Sequence, residues 1–370
     1  MKSLFPILSA VVIFLFSACT VPKKLKRNNG YFKPINEQKL GVYPSDGNLT
    51  GQLNLLYEYK IKGAPTDPII LGDRYLSVRT SRNRVVFYDQ ESGKRVCRIK
   101  QGRGFILPPL LTDSLIVYVK KSPLGQIRVQ NLFTGKKIGE LNVKDIRSGP
   151  IIVNNSLIVG TTTGLLSLNL TDLRREWRLK NDDVVDILPV YDGSQIYYAA
   201  GSGQVKAVEP GDGSLIWEID CNASISSKLG IGRYLYIGLT DGDILAHDKN
   251  NGSVVWRTGI GYAYRGKAVE HNDRIYIGCT DGKVYCLSAE DGGIIWEYQT
   301  DGVVVASPVI HSHTVLIGSY DRNFYSLDAE SGEMLDSHNL EGPVAFAAVI
   351  NNNRIFVACQ KNRIYCFEEH

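Results

Sequence analysis

The sequence predicts an all-β fold in which eight four-stranded antiparallel sheets form a closed ring. Three observations support this prediction. One sequence pattern recurs about every 40 residues. The short segments within each repeat are typical of strands. A surplus strand near the start of the chain matches a missing strand at its end. Because a unit of this length cannot bury both of its faces alone, such units must stack on one another.

The repeat is clearest in the last third of the chain. The segment LYIGLTDGDILAH at 235–247 recurs as IYIGCTDGKVYCL at 275–287 and as VLIGSYDRNFYSL at 315–327. Each copy is followed by a turn whose last residue occupies one recurring position, held by Gly93, Gly135, Leu173, Gly213, Gly252, Gly292 and Gly332. All four tryptophans of the chain fall at one position after such a turn, namely Trp177, Trp217, Trp256 and Trp296. A single register therefore accounts for every tryptophan.

Each repeat contains four runs of β-branched and aromatic residues between Gly, Asn and Asp turns, which predicts four antiparallel strands. Asp241-Gly242 and Asp281-Gly282 are predicted to form type I′ hairpin turns. A proline, a small residue or a lysine marks the first strand of each repeat. The eight markers are Pro68, Pro109, Pro150, Pro189, Lys228, Lys267, Pro308 and Ala348.

The two ends of the chain predict how the ring closes. The last repeat stops at His370 without a fourth strand, whereas residues 53–59 resemble a fourth strand with Tyr57 at the tryptophan position. We expect this N-terminal strand to complete the last sheet, which leaves no free edge between the first and last repeats. Residues 53–370 are thus predicted to form an eight-bladed β-propeller.

The N-terminal segment is predicted to be removed or modified rather than folded. Residues 1–18 have a positive start, a short apolar run and small residues before Cys19, as in secretory signal peptides. The segment resembles a bacterial lipobox, which implies lipidation of Cys19. In such lipoproteins Thr20 implies delivery to the outer membrane, on its periplasmic face. Residues 19–51 are predicted to be a tether. The alternative is an ordinary signal peptide followed by a chance cysteine.

Composition and charge favour no nucleic-acid or metal site. The net charge of +4 is mild, whereas nucleic-acid binding usually requires a concentrated basic face. No Cys/His spacing is typical of a zinc site. His311 and His313 are predicted to lie in a solvated turn. Cys279 and Cys286 are predicted to share a sheet face at a diagonal of about 7–8 Å, too far apart for a disulfide.

The pattern Asp/Glu-x-x-x-Gly-x-x-x-Trp resembles the tryptophan-docking repeat of PQQ-like propellers, and the resemblance covers residues 53–370. It implies that the four tryptophans dock each blade on the next. An eight-bladed propeller of this type behind a lipobox is similar to the BamB family, the lipoproteins of the outer-membrane β-barrel assembly machinery. This similarity implies a lipid-anchored, non-enzymatic scaffold with a protein partner and without a cofactor.

Two alternatives remain open. PQQ-like propellers include quinoprotein dehydrogenases, which hold a quinone between a tryptophan and a disulfide of two adjacent cysteines. No two cysteines are adjacent in this sequence, and the blade register uses every tryptophan, so no catalytic residue is assigned. The other alternative is a propeller that binds a polysaccharide or a peptide in the cell envelope.

One departure from the repeat suggests a site. Two neighbouring repeats carry Lys228 and Lys267 at the marker of the first strand, and Arg265 precedes the second by two residues. If these side chains enter the central channel, they share one wall and favour a nearby anion. The sequence therefore suggests a channel site for an anion or a peptide carboxylate, with a hydrated channel mouth as the alternative.

Overall fold

The computed structural model of the protein describes residues 42–43, 49–72, 74–101, 107–120, 125–180, 184–351 and 353–370. Within these residues the regular elements are all strands, and they form eight antiparallel sheets. The sheets are the blades of a β-propeller, as the sequence predicts. The predicted signal peptide, Cys19 and nearly all of the predicted tether lie outside the described residues.

Each blade contains four strands, which we label A to D from the axis outward, and blades are numbered along the chain. Strands A of blades 1 to 8 are Ile70–Leu71, Leu110–Leu111, Ile146–Val153, Val190–Tyr191, Gly230–Ile231, Val269–His271, Val309–His311 and Val349–Asn351. Strands B are Tyr75–Thr80, Leu115–Lys120, Ser156–Thr161, Ile196–Ala199, Leu235–Gly238, Arg274–Gly278, Thr314–Gly318 and Arg354–Cys359.

The outer half of each blade follows the same order. Strands C are Arg84–Asp89, Gln126–Asn131, Gly164–Asn169, Gln204–Val208, Asp243–His247, Lys283–Ser288, Asn323–Asp328 and Arg363–Glu369. Strands D of blades 1 to 7 are Arg95–Lys100, Lys137–Asn142, Arg175–Arg178, Leu215–Asp220, Val254–Gly259, Ile294–Gln299 and Met334–Asn339.

The N-terminal strand Leu53–Lys60 is strand D of blade 8. It pairs antiparallel with the C-terminal strand, so that Leu53 lies opposite Glu369 and Lys60 lies opposite Arg363. The two ends of the chain therefore share one sheet, as the sequence predicts. This closing strand gives blade 8 the same four-stranded sheet as the other blades.

A short additional strand precedes this closure. Val42–Tyr43 pairs parallel with Ile310 and His311 in strand A of blade 7, which makes that sheet five-stranded. These two residues belong to the segment that the sequence predicts as a tether. The chain therefore contacts the inner strand of blade 7 before it reaches the outer strand of blade 8.

The core is divided into eight apolar clusters, each between two neighbouring blades. Side chains alternate between the two faces of a strand, so every blade contributes to two clusters. In blade 6, Ile277 and Tyr285 pack toward blade 5, whereas Tyr276 and Cys286 pack toward blade 7. The hydrophobic burial that stabilises the ring thus lies mainly between blades.

The predicted type I′ turns are wrong. A type I′ turn requires positive φ at both central residues, yet only Gly242 and Gly282 have positive φ, at 95° and 89°. In blade 6 the N–H of Cys279 donates to the carbonyl of Lys283 at 2.9 Å, which encloses a three-residue loop. This loop type combines a type I turn with a glycine in the left-handed region. The carboxylate of Asp281 stabilises it by accepting the Lys283 N–H at 2.9 Å.

The longer loop moves the hairpin register by one residue and changes the position of the cysteines. Gly278 pairs with Val284 and Tyr276 pairs with Cys286, so Cys279 lies on the opposite face of the blade from Cys286. The prediction that the two cysteines share a face is therefore wrong. All six cysteines in the described residues are free and buried. Burial raises the pKa of the Cys279 thiol to about 12, which keeps it protonated and unreactive.

Candidate functional site

The four tryptophans lie at the perimeter, where each blade meets the next. Each indole is buried, and its N–H donates to a backbone carbonyl 32 or 33 residues further along the chain. In blade 5, for example, Trp256 donates to the carbonyl of Ala289 in blade 6 at 3.0 Å. The ring of Trp256 also packs against Tyr236, with the two ring centroids 6.0 Å apart. We propose that these tryptophans dock the blades on one another.

The surface that receives each indole is a glycine of the following blade. Gly292 has a φ of 75°, and a Cβ added there would lie 2.5 Å from the ring of Trp256. Gly332 has the same φ, and its added Cβ would also lie 2.5 Å from the ring of Trp296. A glycine is required at these positions for two reasons, since both the left-handed backbone and the close approach disfavour a side chain.

Strand pairing defines which inner-strand residues are equivalent. In blades 5, 6 and 7, one residue of strand A pairs with the second apolar residue of strand B, and these residues are Gly230, Val269 and Val309. The residue immediately before each one in the chain therefore occupies an equivalent position in its blade. That position holds Ile69, Pro109, Pro150, Pro189, Leu229, Ala268, Pro308 and Ala348. All eight residues are buried. This is the marker position of the sequence pattern, and in blades 5 and 6 it belongs to Leu229 and Ala268.

The assignments of Pro68, Lys228 and Lys267 to the marker position are therefore wrong by one residue. Both lysines belong to the preceding position, which also holds Pro68, Pro108, Gly149, Leu188, Ser307 and Ala347. Every residue in this second set is exposed or half-buried. Residue type alone is misleading here, because proline occurs at both positions. The spacing from the tryptophan is the same in four blades (177 to 189, 217 to 229, 256 to 268 and 296 to 308) and would have given the correct register.

The corrected register still brings the predicted cations together. The two lysines lie two residues before the first strands of their blades, and unlike the marker residues they are not fully buried. Lys228 is exposed and Lys267 is half-buried. The N–H of Lys228 donates to the carbonyl of Gly266 at 3.1 Å, which holds the two inner strands side by side. Arg265 is exposed two positions before Lys267.

A buried polar contact joins blades 7 and 8, and sequence reasoning missed it. Nδ1 of His311 lies 2.5 Å from Oε2 of Glu369, and both side chains are almost completely buried. The hydroxyl of Thr314 donates to the other carboxylate oxygen of Glu369 at 2.6 Å. The prediction that His311 lies in a solvated turn is therefore wrong. Glu369 pairs with Leu53, so the contact lies next to the N-terminal strand that closes the ring.

The outer strands present apolar side chains to solvent. In blades 4 to 8, residues just before the tryptophan position are exposed, from 36% for Ile216 to 55% for Val254. The full set is Leu215, Ile216, Val254, Val255, Ile294, Ile295, Met334, Leu55 and Leu56. Blade 3 has Arg175 and Glu176 at the corresponding positions. Exposed apolar residues that recur on neighbouring elements are typical of a protein-binding surface.

Other chemical sites are not evident in the described part of the chain. No group of three or more His, Cys, Asp and Glu side chains there has the arrangement needed to hold a metal ion. Among the same residues, no helix combines the length and the apolar character needed to cross a membrane.

Comparison with known proteins identifies the family. The sequence pattern of the family described as outer membrane protein assembly factor BamB matches residues 42–229 and 240–343. The chain belongs to this family. Within the BamB family, 122 residues of the chain are 31% identical to the assembly factor of Alkalilimnicola ehrlichii. A stretch of 87 residues is 28% identical to that of Nitrosomonas eutropha.

These alignments cover 30% and 23% of this chain, and 32% and 21% of the two relatives. The chain thus aligns with about a third or less of each relative's length.

Solved structures share the fold at low sequence identity. BamB from Moraxella catarrhalis has a TM-score of 0.66 and 15% identity, over 86% of this chain and 100% of that chain. The computationally designed Ika8 protein has a TM-score of 0.74 and 14% identity, over 85% and 99% of the two chains. A europium-containing methanol dehydrogenase has a TM-score of 0.73 and 11% identity, over 93% and 99%. At such identities the similarity shows the fold alone.

Proposed function

We propose that this protein is a non-enzymatic scaffold of outer-membrane protein assembly, anchored by lipid to the periplasmic face of the outer membrane. The observation that carries the proposal is membership of the BamB family, over residues 42–229 and 240–343. The proposed partner is a periplasmic domain of the barrel protein that inserts outer-membrane proteins.

The perimeter of blades 4 to 8 supports protein binding. Val254 and Ile294 are about half exposed at equivalent positions of neighbouring outer strands. An outer strand also presents an unpaired edge of backbone donors and acceptors, to which a partner strand can add. A partner domain that adds a strand here would gain main-chain hydrogen bonds and apolar contacts together.

The anchor proposal rests on the sequence around Cys19. A diacylated and N-acylated cysteine would hold the chain at the membrane without a spanning segment. Replacement of Cys19 by alanine should release the propeller into the soluble periplasmic fraction. Retention of the Cys19→Ala variant in the outer-membrane fraction would contradict a lipid anchor at this residue.

The residues present do not fit the quinone site of a PQQ-dependent enzyme. The four tryptophans are held at the perimeter by contacts between blades. The six described cysteines are buried singly, and no two cysteines are adjacent in the sequence. These features support a scaffold over the dehydrogenase alternative.

The channel cations are proposed as a secondary contact for acidic groups of a partner. Lys228 and Lys267 lie just before the inner strands of neighbouring blades, and Arg265 precedes Lys267 by two residues. Two like charges on one wall favour an anion nearby. The double substitution Lys228→Ala/Lys267→Ala is expected to weaken partner binding at low salt more than at high salt. Unchanged affinity in the double variant would remove the channel from the proposed interface.

Capture of the partner tests the proposal as a whole. The tagged full-length chain would be produced at native level in its own host, and the envelope would be dissolved in mild detergent. The outer-membrane assembly barrel protein is expected among the captured proteins. The double variant Val254→Lys/Ile294→Lys should reduce its yield, whereas Arg175→Ala on the outer strand of blade 3 should not. Capture that lacks the barrel protein would contradict the proposed function.

A further inference from the structure

A basic cleft lies at the perimeter where blade 8 meets blade 1. It has a volume of about 170 Å³. The outer strand of blade 8 and the segment after it contribute Tyr59, Lys60 and Lys62. Blade 1 contributes Arg84, Arg95 and Arg98. The cleft is therefore created by the closure of the ring, since its two walls come from strands that only this closure brings together.

The cleft is lined by five cationic side chains. Among the described residues, none of the five cations has an ion-pair partner within 4.0 Å, and no carboxylate lines the cleft. Two acids on the same strands are already paired, Glu58 with Arg363 and Asp89 with Arg74. Five cations around one cleft repel one another, so an anion bound among them would stabilise the site.

Tyr59, which lines the cleft, carries a buried hydroxyl without a hydrogen-bond partner among the described residues. The ring of Tyr59 packs against Tyr88, with the centroids 5.0 Å apart, and both residues line the cleft. Within the described part of the chain, the buried hydroxyl of Tyr59 makes no hydrogen bond. Burial raises the pKa of Tyr59, so the hydroxyl stays protonated and is a donor without an acceptor. An unpaired buried donor is unfavourable, and a bound oxyanion would supply the acceptor.

The arrangement of the arginines favours a tetrahedral oxyanion. In blade 1, Arg98 and Arg95 of strand D lie opposite Val86 and Tyr88 of strand C. Arg84 lies on strand C, two residues before Val86. The three guanidinium groups thus come from two paired strands and face the lysines of blade 8. Guanidinium groups present paired donors that match phosphate oxygens. A phosphomonoester carries about −1.5 to −2 charges at pH 7, which suits five cations better than a single carboxylate does.

We propose that the cleft between blades 8 and 1 binds a phosphate group, either as a free phosphate or as the headgroup of a phospholipid. The arginines of blade 1 and the lysines of blade 8 bind the oxyanion from opposite walls. The Tyr59 hydroxyl donates to one of its oxygens. This site is independent of the apolar perimeter on blades 4 to 8 and does not require the proposed assembly partner.

Isothermal titration calorimetry tests this inference on the full-length chain in mild detergent at low salt. Inorganic phosphate and dihexanoyl phosphatidic acid are titrated separately. Saturable binding of one or both is expected. Tighter binding of the phosphatidic acid assigns the site to a lipid headgroup, and equal affinities assign it to free phosphate.

Blade 3 offers a matched control. Arg175 and Arg178 occupy the same strand positions as Arg95 and Arg98 but lie outside the cleft. The Arg95→Ala/Arg98→Ala variant should bind roughly tenfold or more weakly, because two charged hydrogen-bond donors to the oxyanion are lost. The Arg175→Ala/Arg178→Ala variant should bind like the wild type.

A third variant separates binding from folding. Tyr59→Phe removes only the unpaired hydroxyl. The variant should therefore remain folded, with an unfolding midpoint no lower than that of the wild type. Its affinity for phosphate should be several-fold lower. The inference is overturned if the wild type binds neither probe, or if the two double arginine variants lose affinity equally. Tighter binding of a tetraglutamate peptide than of either phosphate probe would also overturn it, since the cleft would then suit an acidic protein segment.

Discussion

Leu173 of blade 3 faces Gly139 of blade 2 in a reversal of the arrangement seen elsewhere in the ring. A Cβ added to Gly139 would lie 3.0 Å from Cδ1 of Leu173, and Leu173 itself has a φ of 57°. In blades 3 to 6 the first blade supplies a tryptophan and the next supplies a glycine. Here the first blade supplies the glycine, and the leucine of the next blade occupies the space of the indole.

This reversal predicts strong coupling between the two positions. Leu173→Gly should destabilise the protein by about 1–3 kcal/mol, because the lost leucine packing exceeds the relief of left-handed strain. Gly139→Trp alone should also destabilise, since the indole would collide with Leu173. The double variant Gly139→Trp/Leu173→Gly recreates the tryptophan-on-glycine contact of blades 3 to 6. Its loss of unfolding free energy should therefore be smaller than the sum of the losses in the two single variants. Urea unfolding of the four proteins measures the coupling, and simple additivity would contradict the account.

Trp256 provides the direct test of blade docking. Its removal by Trp256→Ala should lower the free energy of unfolding by about 3–5 kcal/mol, because a buried ring and its bond to Ala289 are both lost. The neighbouring Val255 is 41% exposed, and Val255→Ala should change stability by about 0.5 kcal/mol or less. Chemical denaturation of both variants gives the comparison. Similar losses would show that the tryptophan is not a special contact.

His247 should make stability depend on pH. It is buried, and burial lowers its pKa below the ordinary 6.5. Its Nδ1 lies 2.9 Å from the carbonyl of Gly252, and its Nε2 makes no hydrogen bond within the described residues. The unfolded chain therefore binds a proton at a higher pH than the folded chain. Stability conferred by neutral His247 is present above pH 6.5 and is lost as the pH falls through 6.5 toward the folded pKa.

Sister blades carry leucine at this position, as Leu287 and Leu327 show. His247→Leu should therefore reduce the loss of stability between pH 7.5 and about 5, measured as the urea midpoint at each pH. An unchanged pH dependence in this variant would contradict the assignment of the effect to His247.

His311 and Glu369 should behave as one unit. Glu369→Leu or His311→Val alone leaves one polar group buried without its partner and should destabilise by about 3–5 kcal/mol. The double variant replaces both groups by residues that other blades use at these positions, Val153 and Leu170. It should lose much less than the sum of the single variants. Thermal unfolding at neutral pH distinguishes the two outcomes, and additive losses would contradict a direct contact.

The sequence predicted the architecture well because the architecture depends on a repeated pattern. Eight blades, four strands per blade and the pairing of the N-terminal strand with the last blade all follow from period and turn residues. Local register was predicted less well. A turn such as Asp281-Gly282 is compatible with a two-residue or a three-residue loop, and the choice depends on side-chain hydrogen bonds that residue type alone does not specify.

The basic cleft could not be predicted from local sequence. Lys60 and Lys62 are separated from Arg84 and Arg98 along the chain and meet only because blade 8 is closed by the first strand. The same is true of His311 and Glu369, which are 58 residues apart. One indication of the cleft was present in the sequence. The prediction that residues 53–59 form the outer strand of the last blade places Lys60 beside the outer strand of blade 1.

We propose that the perimeter of this propeller binds the barrel protein of outer-membrane assembly. The most direct measurement is the affinity of the purified full-length chain for the purified periplasmic region of that barrel protein. We expect saturable one-to-one binding that Val254→Lys/Ile294→Lys weakens about tenfold or more and that Arg175→Ala leaves unchanged. Absence of binding by the wild-type chain, or equal affinities for the wild type and the double lysine variant, would contradict the account.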